Sequence, residues 1–171
     1  MKPIHPDEAF FQILRNIDHD LFLAIKAKGC PHCGGPLDTS NYPRKTRGMT
    51  AGENEVCFSL CCRREGCRKR RRPRSVRFFG RKVFGAWVVV LAVDFCRDLG
   101  LKGQIARQTI ARWRTFWREY LSEAHPFMRR LRGFLPPGAV ILSSPVSVLG
   151  HFGFPAGDSL VRILKFISQT I

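Results

Sequence analysis

Acidic residues and long apolar runs are both scarce in this sequence. Its 171 residues include 29 Lys and Arg but only 13 Asp and Glu, which gives a formal net charge of +16 and a pI near 10.5. The best candidate for a membrane span runs from Val83 to Val93, roughly half of the ~20 apolar residues that a bilayer-crossing helix needs. The first residues lack the apolar core of a secretory signal. We therefore expect a cytoplasmic protein without membrane contact and with a polyanionic partner.

Catalytic motifs are missing as well. The sequence contains no phosphate-binding glycine loop, no Ser or Cys arranged with His as a nucleophile, and no His-x-His pair among its five histidines. Its carboxylate pairs, at residues 7–8 and at Asp94 with Asp98, have no metal-ligand partners near them in sequence. We therefore expect that the protein is not an enzyme.

Cysteine is well represented, with seven residues, and four of them form two knuckles. The first knuckle, Cys-Pro-His-Cys at residues 30–33, precedes two glycines, and the second ends in Gly66-Cys67. Cysteines at such spacing, next to glycines that permit tight turns, suit a tetrahedral metal site. We expect a zinc ribbon with one structural Zn²⁺, since four thiolates leave no open position for metal catalysis. The predicted ligands are Cys30, Cys33, Cys62 and Cys67.

The sequence leaves two choices for the third ligand. Cys62 is preferred because it leaves the shorter knuckle before Cys67, and Cys61 stays open as the alternative. Cys57 lies in an apolar alternation, so we expect it to pack within a strand. His32 lies between the two ligands of the first knuckle, where the chain usually points outward, and we expect it not to bind the metal.

The densest charge of the chain overlaps the second knuckle. From Arg63 to Lys82, 11 of 20 residues are Lys or Arg, and Glu65 is the only acidic one. Like charges at this density are unfavourable without an anion, and a nucleic-acid backbone supplies one. The predicted nucleic-acid contacts of the ribbon are Arg44, Lys45, Arg47, Arg63, Arg64, Arg68, Lys69, Arg70, Arg71, Arg72, Arg74 and Arg77.

A second basic surface is expected on a helix from Ile105 to Ser122. On a helical wheel its aromatic residues, including Trp113 and Trp117, lie on one side, and Arg, Gln and Thr lie on the other. Such polar side chains bind base edges and phosphates, and the N-terminal residues of a recognition helix lie nearest the bases. The predicted base contacts are Arg107, Gln108 and Arg112, and the predicted phosphate contacts are Arg114 and Arg118.

We predict an α+β fold in four segments. They are an N-terminal amphipathic helix at residues 1–29, a zinc ribbon of short antiparallel hairpins with a basic arm at 30–82, a helical, helix-turn-helix-like DNA-binding region at 83–124, and a C-terminal tail at 125–171. The first helix has an apolar stripe at helical spacing, with Asp18 outside it. It either packs on its own domain or docks on a partner.

Several finer boundaries follow from the pattern. Ser75–Phe79 is predicted as a terminal strand of the ribbon, and Val83–Leu99 as a buried helix. His125-Pro126 is predicted to end the recognition helix. Two short helices are expected in the tail, at residues 145–152 and at 159–168, the second capped by Asp158.

Residues 30–120 resemble the N-terminal region of bacterial insertion-sequence transposases and the small accessory proteins of mobile elements. The matching stretches are the Cys-Pro-His-Cys-Gly-Gly knuckle, Tyr42–Lys45, Cys62–Arg70, Ser75–Phe78 and Ile105–Trp113. The last of these is similar to the start of transposase recognition helices. One departure is that only Leu101–Gln104 are available for the short helix that normally precedes the recognition helix.

The resemblance implies zinc-dependent folding and binding to the double-stranded DNA of a mobile element, at the nucleoid. It implies an accessory or regulatory role, with a transposase or recombinase as a partner protein. The chain after Leu121 contains only Glu123 and Asp158 as acidic residues, too few for the three-carboxylate site of an RNase H-type transposase. Two alternatives stay open: an RNA-binding module that recognises shape and phosphate, and an adaptor that recruits a catalytic subunit through the first helix and the apolar tail.

Overall fold

The computed structural model describes residues 6–48, 55–80, 82–95, 99, 104–141, 144–152 and 156–170. The chain divides into two compact units, one from Asp7 to Gly85 and another that includes Ala86–Ile171. Helices and short antiparallel strands occur together, which confirms the predicted α+β class.

The first unit contains one long helix and all the named strands. Their bounds are α1 Glu8–Lys28, β1 Leu37–Thr39, β2 Tyr42–Arg44, β3 Glu55–Cys57, β4 Leu60–Cys62 and β5 Arg70–Arg71. β4 lies between β1 and β5 in a three-stranded antiparallel sheet, and β2 pairs with β3 in a second sheet. The pairing of β4 with β5 brings Cys61 opposite Arg70, so the cations at 70 and 71 lie on an edge strand next to the second knuckle.

Helix α1 has clear start and stop signals, but its buried face differs from the predicted stripe. Asp7 caps the helix by accepting a hydrogen bond from the Phe10 backbone N–H at 2.8 Å, and Gly29 ends it with a positive φ of 73°. Asp18, predicted to lie outside the buried stripe, is 1% exposed, whereas Ile13 is 45% exposed. The helix is rotated toward Asp18 because this carboxylate has partners inside the unit, which are described below.

Cys57 packs within strand β3, as predicted, whereas the predicted strand at residues 75–79 is corrected. In β3, Glu55 and Cys57 point inward while Val56 is 48% exposed, because alternate residues of a strand face opposite sides and the buried side here holds a charged partner for Glu55. Ser75–Phe79 is not a strand, and only an isolated bridge joins Phe78 to Gly85. The side chains and amides of this segment bind to α1 instead of to a neighbouring strand.

The second unit is helical and apolar. Its helices are α2 Ala86–Phe95, α3 Arg107–Tyr120, α4 Pro126–Arg132, α5 Val146–Leu149 and α6 Ala156–Thr170, with a 3-10 turn at Gly150–Phe152. α2 is buried from Ala86 to Val93, as its uniform apolar composition predicts. Trp117 of α3 is fully buried and donates its indole N–H to the Val89 carbonyl at 3.0 Å.

The tail differs from its prediction in two respects. Pro126 does not simply end the preceding helix but starts α4, where proline fits the first helical turn because its missing N–H has no partner there. Asp158 lies within the first turn of α6 and does not cap it, since the helix begins at Ala156. Of residues 101–104, which alone are available for a short helix before the recognition helix, the described residues include only Gln104.

Candidate metal centre and basic arm

The first knuckle is a tight turn held by its own backbone. The Gly34 N–H donates to the Cys30 carbonyl, and the Cys30 N–H donates to the Gly35 carbonyl, both at 2.8 Å. Gly34 has a φ of 68°, a conformation that glycine adopts without strain. A Cβ on Gly35 would lie 3.3 Å from the Cys33 sulfur and 3.4 Å from the Cys62 sulfur. Glycine at 35 therefore gives the two sulfurs room to approach.

The second knuckle continues directly from strand β4. The Cys62 N–H donates to the Lys69 carbonyl at 3.0 Å, and the Cys67 N–H donates to the Arg64 carbonyl at 3.2 Å. The turn passes through Gly66 and Arg68, which both have positive φ. The backbone loop from Cys62 to Lys69 thus closes on itself and presents two thiols.

The two knuckles bring four sulfurs together. The ligand atoms of Cys30, Cys33, Cys62 and Cys67 all lie within 4.8 Å of one another, with Cys30 to Cys67 at 3.8 Å and Cys33 to Cys62 at 3.4 Å. A tetrahedral thiolate site with metal–sulfur bonds of about 2.3 Å has sulfurs about 3.8 Å apart, whereas a disulfide has them about 2.05 Å apart. The cluster could therefore hold a metal ion, and its cysteines are free thiols.

The structure separates Cys62 from its neighbour Cys61. Consecutive residues of a strand face opposite sides, so only one of the two can point into the cluster. Cys62 is fully buried in the cluster, whereas the Cys61 thiol faces the Arg68 carbonyl at 3.5 Å. Cys57 is buried in β3, outside the cluster, and His32 is exposed. These positions agree with the preferred set of four ligands.

The thiols differ in how readily they lose a proton. Hydrogen bonds from the backbone at His32 and Cys33 lower the pKa of Cys30 to about 7, against the opposing effect of burial. Burial raises the pKa of Cys62 to about 12. Because thiolates are the metal ligands, a metal ion must displace a proton from Cys62 even at neutral pH, and metal affinity is expected to fall as the pH falls.

A small apolar core surrounds the cluster. Phe22 of α1, Leu37 of β1 and Leu60 of β4 are buried together with Cys30 and Cys62. Helix α1 therefore covers the metal centre and belongs to the same folding unit. This packing supports the interpretation in which α1 packs on its own domain.

The basic arm, defined here as residues 63–74, leaves the second knuckle as an exposed cationic strip. Its eight Lys and Arg side chains are all exposed. Arg63 pairs with Asp38 and Arg64 donates to the Cys33 carbonyl, so these two also brace the knuckle. Within the described part of the chain, no carboxylate forms an ion pair with residues 68–72.

Two residues that were predicted to contact nucleic acid, Arg77 and Arg44, bind groups of the protein itself. Arg77 is only 2% exposed and is paired with Asp18 and Glu55, so it is not available to a phosphate and the prediction for this residue is wrong. Arg44 is half-buried, lies over the Phe78 ring at 4.8 Å and donates to the carbonyls of Gly80 and Lys82. Lys45 and Arg47 are exposed on the same unit.

Helix α3 presents all its predicted contacts to solvent. Arg107, Gln108, Arg112, Arg114 and Arg118 are exposed, and the Trp side chains face the core. Arg114, a predicted phosphate contact, donates through Nε and Nη2 to the Val93 carbonyl of α2 and is engaged within the protein. Because the Val93 carbonyl is in the last turn of α2, the positive charge of Arg114 also offsets the dipole of α2.

Sequence reasoning missed the buried carboxylates of the first unit. Burial raises the pKa of Asp18, with Arg77 and Ser75 opposing the shift. The pKa of Glu55 is lowered despite burial, because hydrogen bonds from Arg15 and charges of Arg15 and Arg77 favour its ionised form. The signal in the sequence was that Asp18 is in line with the buried apolar residues of α1, which would have indicated a buried carboxylate.

A groove beside the first knuckle was also not predicted. It has a volume of about 560 Å³, and Lys26, Lys28 and Arg63 contribute to its walls together with the exposed backbone of Gly34. Its cations are continuous with the basic arm through Arg63. The lysines at the end of α1 are equally the residue type that a helix C-terminus favours.

No protein-family model, curated protein or solved structure matches this chain. Among the described residues, no helix is long and apolar enough to cross a membrane.

Proposed function

We propose that this chain is a zinc-dependent nucleic-acid-binding protein, with double-stranded DNA as its ligand and no catalytic activity of its own. The observation that carries the proposal is the overlap of metal centre and basic arm. Arg63 and Arg64 lie between the ligands Cys62 and Cys67, and Arg68 and Lys69 follow directly. A metal bound by these cysteines orders the backbone that presents the cations.

Zn²⁺ is the metal that this ligand set favours. Four thiolates at tetrahedral spacing are typical of structural zinc, and they leave no position for a reacting water. We infer that the metal stabilises the first unit and has no chemical role. Loss of the metal is then expected to abolish nucleic-acid binding through loss of structure.

Duplex DNA is favoured because the second unit adds a helix with base-reading side chains. Arg107, Gln108 and Arg112 are exposed at the N-terminal part of α3, and Arg and Gln are the residue types that pair with guanine and adenine edges in the major groove. The resemblance to mobile-element proteins leads us to propose a role as an accessory or regulatory protein beside a transposase or recombinase.

The proposal is tested by titrating the purified protein with duplex DNA, single-stranded DNA and structured RNA at several salt concentrations, with and without a chelator. We expect the tightest binding to duplex DNA, a steep salt dependence and loss of binding after zinc removal. Weak binding to all three would contradict the proposal and favour the adaptor function.

RNA binding is the second candidate. It is favoured by the arm itself, because an exposed row of cations binds phosphates in any helical form. Binding that survives an excess of duplex DNA competitor but not of structured RNA would select this function.

A further inference from the structure

The C-terminal end of the basic arm is anchored in the interior of the first unit. The carboxylate of Asp18, on α1, accepts three hydrogen bonds from the residues that follow the arm. Ser75 donates its hydroxyl at 2.5 Å, Val76 its backbone N–H at 2.7 Å, and Arg77 its Nε at 2.8 Å. Asp18 itself is 1% exposed. A loop segment without regular structure is thus held by a buried charge.

Arg77 extends this anchor to strand β3. Its Nη1 donates to Glu55 at 2.7 Å and its Nη2 donates to the Val56 carbonyl at 2.8 Å. Arg15 of α1 reaches the other oxygen of Glu55 at 3.0 Å. One buried network therefore joins α1, β3 and the end of the arm.

The N-terminal end of the arm is fixed independently. Cys62 and Cys67 belong to the metal centre, and Arg70–Arg71 pair with β4 as strand β5. Pro73 further restricts the short stretch between β5 and Ser75. The arm thus runs between two anchors, one made by the cysteines and one made by Asp18.

Stability alone does not explain a buried ionic network at this position. Well-packed apolar side chains of similar volume are often at least as stabilising as a buried ion pair. What such side chains cannot do is bind the N–H and hydroxyl groups of residues 75–77 and so fix the path of the backbone. A cationic segment without this anchor must be ordered at each binding event, and that entropy loss weakens binding.

We propose that Asp18 is a positioning residue for nucleic-acid binding, which holds the far end of the basic arm so that phosphates meet a preformed row of cations. The inference rests on the proposed function. It predicts that removing the negative charge of Asp18 weakens nucleic-acid binding. Electrostatics alone predicts the opposite, because removing a negative charge from a polyanion-binding protein should leave binding unchanged or strengthen it.

The test compares Asp18→Asn with Asp20→Asn in the full, zinc-loaded chain. Asp20 lies on the same helix but is exposed. Both variants replace an Asp by an Asn and so change the formal net charge equally. Affinity for duplex DNA is measured by fluorescence anisotropy at several salt concentrations. We expect Asp18→Asn to bind about tenfold more weakly than wild type because the freed arm must be ordered on binding. Its salt slope should stay unchanged, since the same cations contact phosphate, and Asp20→Asn should bind as wild type or slightly more tightly.

A second variant covers the case in which Asp18→Asn does not fold. Ser75→Ala removes one hydrogen bond to Asp18 without changing charge. For both variants, zinc content reports the metal centre, and the rate of tryptic cleavage after Arg74 reports the anchoring of the arm. We expect full zinc content, faster cleavage and weaker DNA binding, with a smaller effect for Ser75→Ala.

Two outcomes would overturn the proposal. Either zinc-loaded Asp18→Asn binds DNA as tightly as Asp20→Asn, or, if Asp18→Asn is unfolded, Ser75→Ala binds DNA as tightly as wild type, whatever its rate of cleavage at Arg74. If the wild-type protein binds none of the nucleic acids, the proposed function fails, and this inference fails with it. The wild-type titration in the same experiment distinguishes that result from the first two.

Discussion

The two units of this chain are stabilised by different interactions. In the second unit, residues Ala86–Val93 of α2 are all apolar and all buried, so ordinary packing holds the helices. In the first unit, the apolar core around the cysteines is small, and buried ionic side chains and four thiols complete the interior. Small domains with little apolar core generally need a metal or cross-links to fold. The unit with the densest charge is thus the one whose cysteines could hold a metal ion, and we expect its stability to depend on that ion.

Metal removal should produce the largest difference between the units. We expect that chelation, or Cys62→Ser, unfolds the first unit while α2, α3 and α6 persist. Structural zinc contributes about 10–16 kcal/mol of apparent binding free energy to small zinc-folded peptides at pH 7, which exceeds the stability of such a unit. Residue-resolved amide hydrogen exchange measures this. Equal protection of both units with and without metal would contradict the comparison, and Cys61→Ser serves as the matched control because Cys61 faces away from the cluster.

Breaking the buried ionic network should have the next largest effect. Arg77→Met leaves Asp18 buried without an ion-pair partner and leaves Glu55 with Arg15 alone. We expect a loss of about 3–5 kcal/mol in the free energy of unfolding of the first unit, as for other buried pairs that lose one partner. Arg72→Met, on the exposed arm, is the control and should change stability by less than about 0.5 kcal/mol. Denaturant unfolding of zinc-loaded protein measures both, and equal stability of the two variants would argue against a network that holds the unit together.

The second unit should be sensitive to its aromatic core. Trp117→Phe removes the indole N–H that donates to the Val89 carbonyl and leaves space in a fully buried site. We expect a loss of about 1–3 kcal/mol in the free energy of unfolding, from the lost hydrogen bond and from the space left in the core. Zinc content and protection of the first unit should stay unchanged. A loss of zinc from this variant would show that the two units are not independent.

The two basic surfaces should differ in what they contribute to DNA binding. Arg70→Ala with Arg71→Ala removes two charges of the arm, so we expect weaker binding to all sequences and a salt slope lower by about two. Arg107→Ala with Arg112→Ala should instead reduce the preference for the target sequence, by about 1–3 kcal/mol for each lost base contact. Titrations with a selected target and a scrambled duplex separate the two. If the variants behave alike, α3 is not a recognition helix.

Several features could be read from the sequence because they depend on local patterns. The Cys-Pro-His-Cys-Gly-Gly motif predicted a knuckle, since spacing and glycine determine a tight turn. The apolar stripe predicted a helix within residues 1–29, where α1 lies, and the aromatic face of α3 predicted that Trp113 and Trp117 are buried. The α+β class followed from these elements. The choice of Cys62 over Cys61 was correct as a preference, and strand alternation in β4 gives its physical reason.

Other features depend on partners that are distant in the chain. From the sequence, Arg77 was predicted to contact nucleic acid like the cations of the basic arm. In the structure it is an interior residue, because it pairs with Asp18, which is 59 positions away in sequence, and with Glu55, which is 22 positions away. Pro126 was predicted to end a helix, but it starts α4. Proline can do either, and which role applies depends on whether the residues that follow it are helical. Neither the burial of Arg77 nor the helix start at Pro126 can be predicted from the neighbouring residues in sequence alone.

The sequence by itself determined the chemistry available to this protein: four thiols in two knuckles, a large excess of cations and the amphipathic helices, because composition and short-range spacing decide these. Only the tertiary structure decided which side chains carry that chemistry. It brought the two knuckles within metal-binding distance, buried Asp18 and Arg77 together, and left the arm exposed beside the metal centre. The reason is that an ionic side chain can be buried only where a partner neutralises it, and that partner is supplied by the fold.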